Sequence, residues 1–598
     1  MPRCAWFSLA TIVSVAAGAR ADGLSFTEQA AARGVEYVVT DGSFGIGQFG
    51  CGVALADLDD DGDDDIVATG AASAQIGLLR NDGTGRFTDV TAGSGLPVAA
   101  KASGIVAGDY DGDGDLDLFI TRWLAPALLM RNEGNLLFAN ATATALLTGI
   151  SGAGAGSSFG DYNADGDLDL AVAMRTGTSL NQMRNRLYRN NGNGTFTEVA
   201  AALGVDDAWA SFQCILQDLD RDGDCDLYVS NDKGQAGNSW NRLFRNDGGA
   251  FTEDLASGAC ISIDSMGVSA GDLDMNGLVD IFCTNVATGH ALLLADDPLR
   301  FTRSEAKAGV QGATTGWGAL IFDADNDRDQ DLFACSMTGA PDYLWLNEGG
   351  FPLAERSTRC GIGDDLDSYC LASGDIDGDG DVDLLMQSQF ANLRLYVNEA
   401  PAGNRSVALR VVGVGKNRFA VGALVDVEVA GSVALREVIA GSCYKSQSSM
   451  IVHAGLGDRA VADRVTVRWP RVGDVREERV LVNVPSGWTV PVYPPSRLGD
   501  AQGDGRVDPA DLAACEACVG APFAAACAVF DFDGDFAVGS ADRAATELRM
   551  LDLNRDGSVN SPDIAYLLAG WLRPDLDLTG DAVVNSADLA RLLAGWSR

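Results

Sequence analysis

"GDYDGDGDLDLFITR", residues 108–122, sets five aspartates within nine positions and then turns apolar. Asp and Gly both favour turns, yet the spacing asks for more than a solvated turn. Asp109, Asp111, Asp113 and Asp117 fall at positions 1, 3, 5 and 9 of a short loop, Gly114 follows the third of them, and position 7 offers its backbone carbonyl. That is an all-oxygen donor set for a hard cation such as calcium, which accepts about 6 to 8 oxygens in loose geometry. Without a cation, neighbouring carboxylates repel by roughly 1 kcal/mol per pair even in water. The cofactor implied is Ca2+.

The pattern recurs along the chain. It supplies Asp57, Asp59, Asp61 and Asp65; Asp161, Asn163, Asp165 and Asp169; Asp218, Asp220, Asp222 and Asp226; Asp272, Asp274, Asn276 and Asp280; Asp323, Asp325, Asp327 and Asp331; and Asp375, Asp377, Asp379 and Asp383. The seven loops start 52, 52, 57, 54, 51 and 52 residues apart. Such a period marks one supersecondary unit, too small to bury its own face and stacked on its neighbours. Asn163 replaces a carboxylate with an amide oxygen, which a calcium loop tolerates. Loop five has Asn276 and Leu278, and loop six has Arg328 in place of glycine, so these two are expected to be the weakest sites.

Each unit also reads as strands. Segments rich in Gly, Ala and Ser, such as "ASGIVA" and "GAGSSF", precede the loops, and apolar strands such as "DLFIT" and "DLYVS" follow. A third element, as in "LYRNNGNGTFTEVA", turns through Asn and Gly into a Phe-led segment. The Phe-led segments begin at Phe26, Phe87, Phe138, Phe196, Phe251, Phe301 and Phe351; the first stands before any loop, and the last unit ends at "LRLYVNEAP" without one. Ring closure accounts for the offset. The segment from Phe26 completes the unit left open near Val397, and closing the ring removes exposed sheet edges. The fold class expected is mainly β, with a seven-bladed β-propeller over residues 22–400. These repeats resemble the FG-GAP or VCBS repeats of integrin α-subunit propellers, whose D-x-D-x-D-G-x-x-D loops bind calcium.

With 598 residues, 46% of them hydrophobic, and a net charge of -41, the chain can bury cores in more than one domain while staying strongly acidic. That charge weighs against nucleic acid and anionic membrane as partners. Residues 1–21 read as a signal peptide: basic Arg3, an apolar run from Ala5 to Gly18, and Ala19-Arg20-Ala21 as an A-x-A cleavage site. The run is shorter than the roughly 20 residues a span requires, and no later stretch could be a transmembrane segment. The expected location is secreted, extracellular or associated with the cell surface. Of 13 cysteines one, Cys4, lies in the signal, which leaves an even number that permits disulfides. Cys515, Cys518 and Cys527 lack a nearby histidine and read as a local disulfide rather than a zinc set. Only two histidines exist, His290 and His453, which weighs against His-based metalloenzymes and Ser-His-Asp catalysis.

Residues 401–490 lose the acidic loops and alternate as "SVALRVVGV", "ALVDVEVA", "DRVTVRWP" and "ERVLVNV", a small all-β domain. Through "NRFAVGALVDV", "REVIAGSCYKSQSSMIVHAGLG" and "VTVRWP" it resembles the ASPIC/UnbV domain that follows such propellers in the cartilage acidic protein family. His453 falls in that motif and reads as a packed or hydrogen-bonded side chain. The family implies no settled chemistry.

Residues 491–498, around "YPPSRLG", read as a linker. Across 499–598 four shorter loops begin at Asp500, Asp531, Asp552 and Asp577, with acidic residues eleven positions later at Asp511, Asp542, Asp563 and Asp588. Asp504, Asp533, Asp535, Asn554, Asp556 and Asp581 complete the donor sets. The spacing is that of EF-hand loops, with Asp in place of the usual Glu, so small α-helical EF-hand-like modules are expected. Ser561, with Pro562 after it, and Ser586 are expected helix caps, and a repeated "LLAGW" ends at Trp571 and Trp596. The tail resembles dockerin type I modules, which attach secreted enzymes or binding proteins to cohesin modules on a scaffold. The loops read Pro509-Ala510, Ser540-Ala541, Ser561-Pro562 and Ser586-Ala587 where cohesin-reading dockerins commonly carry Ser-Thr, and Phe536 and Ala582 replace the loop glycine.

The leading reading is a secreted calcium-binding propeller protein for extracellular adhesion or for binding a glycan or protein ligand, its tail attaching to a cohesin-like scaffold module. The alternative is an extracellular polysaccharide-degrading enzyme, a glycosidase or lyase, or an accessory component of such a complex. Nearly every conspicuous carboxylate sits in a metal loop, whereas a glycosidase needs two free ones about 5 to 10 Å apart. The sequence names no catalytic residue.

Overall fold

The computed structural model describes residues 23–40, 49–71, 73–99, 101–148, 150, 153–175, 184–234, 239–286, 289–312, 314–337, 340–363, 366–503, 506–553, 555, 558–569, 573, 576–580 and 584–595. The expected signal peptide, Asp504, Asn554, Asp556, Asp581, Ala582, Trp571 and Trp596 lie outside them.

The chain is mainly β. Among the described residues, seven four-stranded antiparallel sheets lie between Ser25 and Glu399. In the second, the strands are Ala102–Gly108, Asp117–Arg122, Leu128–Asn132 and Phe138–Asn140, paired in chain order. Each acidic loop joins the first strand of a sheet to its second. The small-residue segments become the first strands, wholly buried in Ala102–Gly108 and Gly154–Gly160. The apolar runs after the loops become second strands such as Asp169–Met174, also buried throughout.

The first strands of successive sheets touch in order, and Ser368–Gly374 of the last touches Val53–Ala56 of the first. The seventh sheet takes its outer strand from the other end of the chain: Ser25–Glu28 pairs with Arg394–Glu399, Phe26 opposite Asn398 and Thr27 opposite Val397. This arrangement is consistent with a propeller.

The next region is a second β unit. Arg405–Val411 lies between Val452–Gly457 and Thr489–Val492, and a four-stranded sheet runs in the order Ser432–Glu437, Leu424–Val429, Val461–Arg468, Glu478–Pro485. Their valines enclose Trp469, whose indole N–H donates to the carbonyl of Val412 at 2.7 Å. The break expected after residue 490 falls inside the strand Thr489–Val492, where Val490 and Val492 pair in parallel with Leu409 and Val411. The prolines that read as a linker begin only beyond it. Even there the chain is held, since Leu498 is buried and Gly499 N–H donates to Val529 O at 2.7 Å.

In the tail a helix follows each loop: Pro509–Cys518, Ser540–Leu551, Ser561–Ala569 and Ser586–Gly595. The caps sit one residue earlier than expected. Ser561 and Ser586 are the first helical residues, and Asn585 caps the last helix by accepting from Ala587 N–H at 2.7 Å; Asn and Ser compete for that role on similar terms.

Candidate metal centres

One backbone pattern builds the seven loops. The position-1 carboxylate folds the loop by accepting from the N–H of position 6: Gly62, Gly114, Gly166, Gly223, Gly277, Arg328 and Gly380 donate in turn, at 2.8 to 3.1 Å. That sixth residue has positive φ in every copy, the region glycine tolerates; Arg328 adopts it at φ 95. The position-5 oxygen, from Asp61, Asp113, Asp165, Asp222, Asn276, Asp327 or Asp379, accepts from the N–H of position 7.

Position 9 is locked on both oxygens. Asp65, Asp117, Asp169, Asp226, Asp280, Asp331 and Asp383 are almost wholly buried. Each accepts from the position-2 N–H on one oxygen and from a third-strand N–H on the other, as Asp117 does from Tyr110 at 3.2 Å and Asn132 at 2.8 Å. Burial, opposed by these donors, pushes Asp65 up to about 8, Asp117 to about 9 and Asp280 to about 8.

What remains is a set of oxygens with no protein donor. Asp59 Oδ1, Asp111 Oδ1, Asp218 Oδ1, Asp272 Oδ1, Asp323 Oδ1 and Asp377 Oδ1 are buried without a hydrogen-bond partner, although such groups are nearly always satisfied. In the groups Asp57/Asp59/Asp61, Asp109/Asp111/Asp117, Asp218/Asp220/Asp222, Asp272/Asp274/Asp280 and Asp323/Asp325/Asp331, one oxygen from each residue lies within 4.8 Å of the others. Orphaned oxygens on converging carboxylates fit a hard cation. Two loops depart locally. Asn163 turns its amide nitrogen toward Asp165 Oδ2 at 2.9 Å. Arg80 meets Asp59 at 2.6 Å and Asp61 at 2.8 Å, placing a guanidinium against loop one. Sequence reasoning missed Arg80; the Arg-Asn pair that recurs at 80, 131, 189 and 245 was the available signal.

In the tail the eleventh-following aspartate has two tasks. Asp511, Asp542, Asp563 and Asp588 each accept through Oδ2 from the backbone N–H at the helix cap, Asp508, Gly539, Asn560 and Asn585, at 2.7 to 2.9 Å. Oδ1 of Asp511, Asp542 and Asp588 turns back to the loop N–H of Ala501, Phe532 and Thr579, each at 2.9 Å. Asp531 gathers Gly534, Asp535 and Phe536 N–H groups. Asp533 and Asp535 stand in the same loop, and Asp500, Asp552 and Asp577 open the others. Phe536 holds the glycine position at φ 63 and packs on the valine core of the preceding β unit. Cys518 and Cys527 form the local disulfide, at 2.07 Å.

Three family descriptions match. FG-GAP-like repeat covers residues 39–120, 161–229, 218–283 and 300–386; ASPIC and UnbV covers 413–493; dockerin type I domain covers 498–569. The chain carries FG-GAP-like repeats, an ASPIC and UnbV region and a dockerin type I domain. Among curated relatives, cartilage acidic protein 1 of Mus musculus is 26% identical over 473 residues, covering 71% of this chain and 71% of the relative. The Homo sapiens protein of that name is 25% identical over 465 residues, covering 71% and 69%. Among solved structures, an Agrocybe aegerita lectin recognising non-reducing terminal N-acetylglucosamine aligns at 17% identity and TM-score 0.37, covering 51% of this chain and 79% of the lectin.

The ASPIC and UnbV region sits on the face where the FG-GAP loops emerge. Arg410 meets Asp57 at 3.1 Å, Lys416 meets Asp167 at 2.9 Å and Arg476 meets Asp218 at 3.4 Å. Residues 440–447 run in among the first strands: Ala440, Cys443, Lys445 and Gln447 accept backbone hydrogen bonds from Phe159, Val268, Ile105 and Leu55. A Cβ on Gly52 would collide with the carbonyl oxygen of Lys445, and one on Gly267 would lie 2.6 Å from that of Cys443. Glycines immediately before the first strands of sheets one and five thus make room for this segment. His453 Nε2 hydrogen-bonds Gly380 O at 2.8 Å, a structural contact. Among the described residues no helix is long and apolar enough to cross a membrane.

Proposed function

We propose that this chain is a secreted, calcium-loaded scaffold for extracellular adhesion or for binding a glycan or protein ligand. In this reading residues 1–21 are a signal peptide, 22–400 a seven-bladed propeller, 401–492 an ASPIC/UnbV domain, and the tail an EF-hand-like dockerin module that attaches the protein to a cohesin-like partner. Supporting the ring are the in-order contacts of the first strands and the strand exchanged between Ser25–Glu28 and Arg394–Glu399.

One observation carries the metal assignment: six of the seven loops hold a buried carboxylate oxygen with no hydrogen-bond partner, at position 3 in Asp59, Asp111 and Asp377 and at position 1 in Asp218, Asp272 and Asp323. The residues at positions 1, 3, 5 and 9 of each loop would hold the ion, as would Asp500, Asp511, Asp531, Asp533, Asp535, Asp542, Asp552, Asp563, Asp577 and Asp588 in the tail. Bound Ca2+ would supply the positive charge that lets these carboxylates stay ionised together. The protein's part is to hold the oxygens apart and in place through the loop N–H groups. Extracellular sites with dissociation constants near 10⁻⁴ to 10⁻³ M would fill in millimolar calcium.

The deciding experiment is metal analysis of the secreted protein, followed by thermal unfolding with and without chelator. Several equivalents of calcium and a marked fall in melting temperature are expected; absence of bound calcium overturns the reading. Glycan and extracellular-protein arrays, with deletion of 499–598 as a separate arm, test ligand binding and attachment independently.

A further inference from the structure

Six junctions between consecutive sheets carry the same clasp. A third-strand asparagine donates its side-chain amide to the position-2 carbonyl of the preceding sheet's acidic loop: Asn132 to Leu58, Asn190 to Tyr110, Asn246 to Tyr162, Asn347 to Leu273, Asn398 to Ala324 and Asn81 to Ile376, at 2.6 to 2.9 Å. The junction between sheets four and five has Ala295 at that position. Its N–H still donates to Asp280 Oδ1 at 2.8 Å, but a methyl group cannot reach the carbonyl of Leu219.

Other contacts converge on the same junction. Arg221, from loop four, donates through Nη1 to Gly277 O of loop five at 2.7 Å and through Nη2 to both carboxylate oxygens of Asp426 at 2.8 and 3.1 Å. Asp426 belongs to the ASPIC and UnbV region and is itself held by Arg468 at 2.5 Å. Beside this bridge, Leu424 and Leu435 of that region, 1% and 3% exposed, join Leu219 of sheet four and Val279 and Ile281 of sheet five in one apolar cluster.

We propose that the ASPIC and UnbV region has the function of closing the ring at the fourth–fifth junction, substituting an arginine–aspartate bridge and an apolar seal for the missing asparagine clasp. The bridge is charge-assisted, with Nη2 shared between the two Asp426 oxygens, and a charge-assisted hydrogen bond is stronger than the neutral amide clasp it replaces. The neighbouring region thereby becomes part of the ring's own architecture. This rests on the closed-ring reading.

The test is hydrogen exchange on the full chain in saturating calcium, with Arg221→Ala, Asp426→Asn, Ala295→Asn, the double variant of Arg221→Ala with Ala295→Asn, and Asn81→Ala. Arg221→Ala and Asp426→Asn are expected to speed exchange of the amides around Leu219 and from Leu273 to Gly277 by about tenfold, with no matching change around Leu58 or Ile376. Ala295→Asn should supply the clasp and return most of that protection in the double variant. Equal acceleration at all junctions, no acceleration at the fourth–fifth junction, or no recovery with Ala295→Asn overturns the proposal. Failure of the ring reading would look different: Asn81→Ala would leave exchange around Ile376 unchanged.

Discussion

Asn81, in the first sheet, donates its side-chain amide to the carbonyl of Ile376, in the seventh, at 2.9 Å and across 295 residues of chain. The other amide hydrogen reaches Asp64 O at 3.2 Å, and the backbone N–H is held by Asp65 Oδ1 at 2.8 Å. One side chain therefore ties a loop carboxylate and its own sheet to the seventh sheet. In the proposed reading an ion at Asp65 would tighten the same network that joins the first sheet to the seventh.

Asn81→Ala leaves the Asp64 and Ile376 carbonyls without that donor inside a buried junction. A loss of about 1 to 3 kcal/mol is expected, read as a lower urea midpoint in saturating calcium, with the denaturant slope unchanged. Asn193→Ala, at an exposed turn residue, is the control. Equal midpoints for the two variants would remove the clasp from the account.

Arg328 is the one copy of the sixth loop position that is not glycine, at φ 95. A side chain there costs roughly 1 to 2 kcal/mol. Its backbone N–H donates to Asp323 at 3.1 Å, as the glycines do to their own position-1 carboxylates. Arg328→Gly keeps that bond, relieves the backbone and removes a positive charge beside the loop. It should gain about 1 kcal/mol after the entropy glycine adds to the unfolded chain, and calorimetric calcium titration should show tighter binding at this loop. Weaker binding would mean that the arginine supports the site.

The acidic loops were legible because ligand spacing is a local property: positions 1, 3, 5 and 9 are set by a few consecutive dihedrals. The pairing of Ser25–Glu28 with Arg394–Glu399 was legible because a Phe-led segment without a loop at one end and a loop without a Phe-led segment at the other are complementary. The asparagine clasps were hidden in plain view. Asn in "RN" and "VN" read as a turn residue, and its second task depends on a carbonyl 74 or more residues away in another sheet. The 440–447 segment was not legible either. Its partners are backbone groups of Ile105, Val268 and Phe159, which any residue offers. Asp426 and Leu424 read only as alternating strand residues of "ALVDVEVA", since their partners lie in loops four and five.

His290 is wholly buried, edge-on to Phe282 and Trp345, with Nδ1 accepting from Asn285 N–H at 3.2 Å. Burial lowers its pKa from 6.5 to about 4. The unfolded chain takes up this proton at about 6.5 and the folded chain only near 4. Between those values the unfolded state binds more protons, so stability falls as pH falls, by about 3 kcal/mol once the lower pKa is reached. Urea unfolding at pH 7.5 and 4.5 in saturating calcium should show this as a larger loss in the parent chain than in His290→Gln, which keeps an acceptor without the proton. Identical losses would place the acid sensitivity in the carboxylates alone.

Lys445 is 2% exposed among the first strands, its ammonium donating to Phe49 O at 2.8 Å and Gly50 O at 3.2 Å. Burial lowers its pKa from 10.5 to about 8, Arg175 adding to the fall while Cys370 and Cys51 oppose it. At pH 7 the folded chain thus carries a charge that would sit more comfortably in water. Raising the pH through 8 deprotonates it in the folded state first, so the penalty is relieved and this group's contribution to stability rises up to about pH 10.4. Lys445→Met removes the charge and strands two carbonyls. It should cost about 1 to 3 kcal/mol at pH 7 and abolish the alkaline gain that the parent shows relative to it. The fluorescence-detected urea midpoint of both proteins at pH 7, 8.5 and 9.5 measures the difference. A difference that stays constant across that range would mean that the ammonium is charged in the folded chain throughout, held by its carbonyls against the desolvation around it.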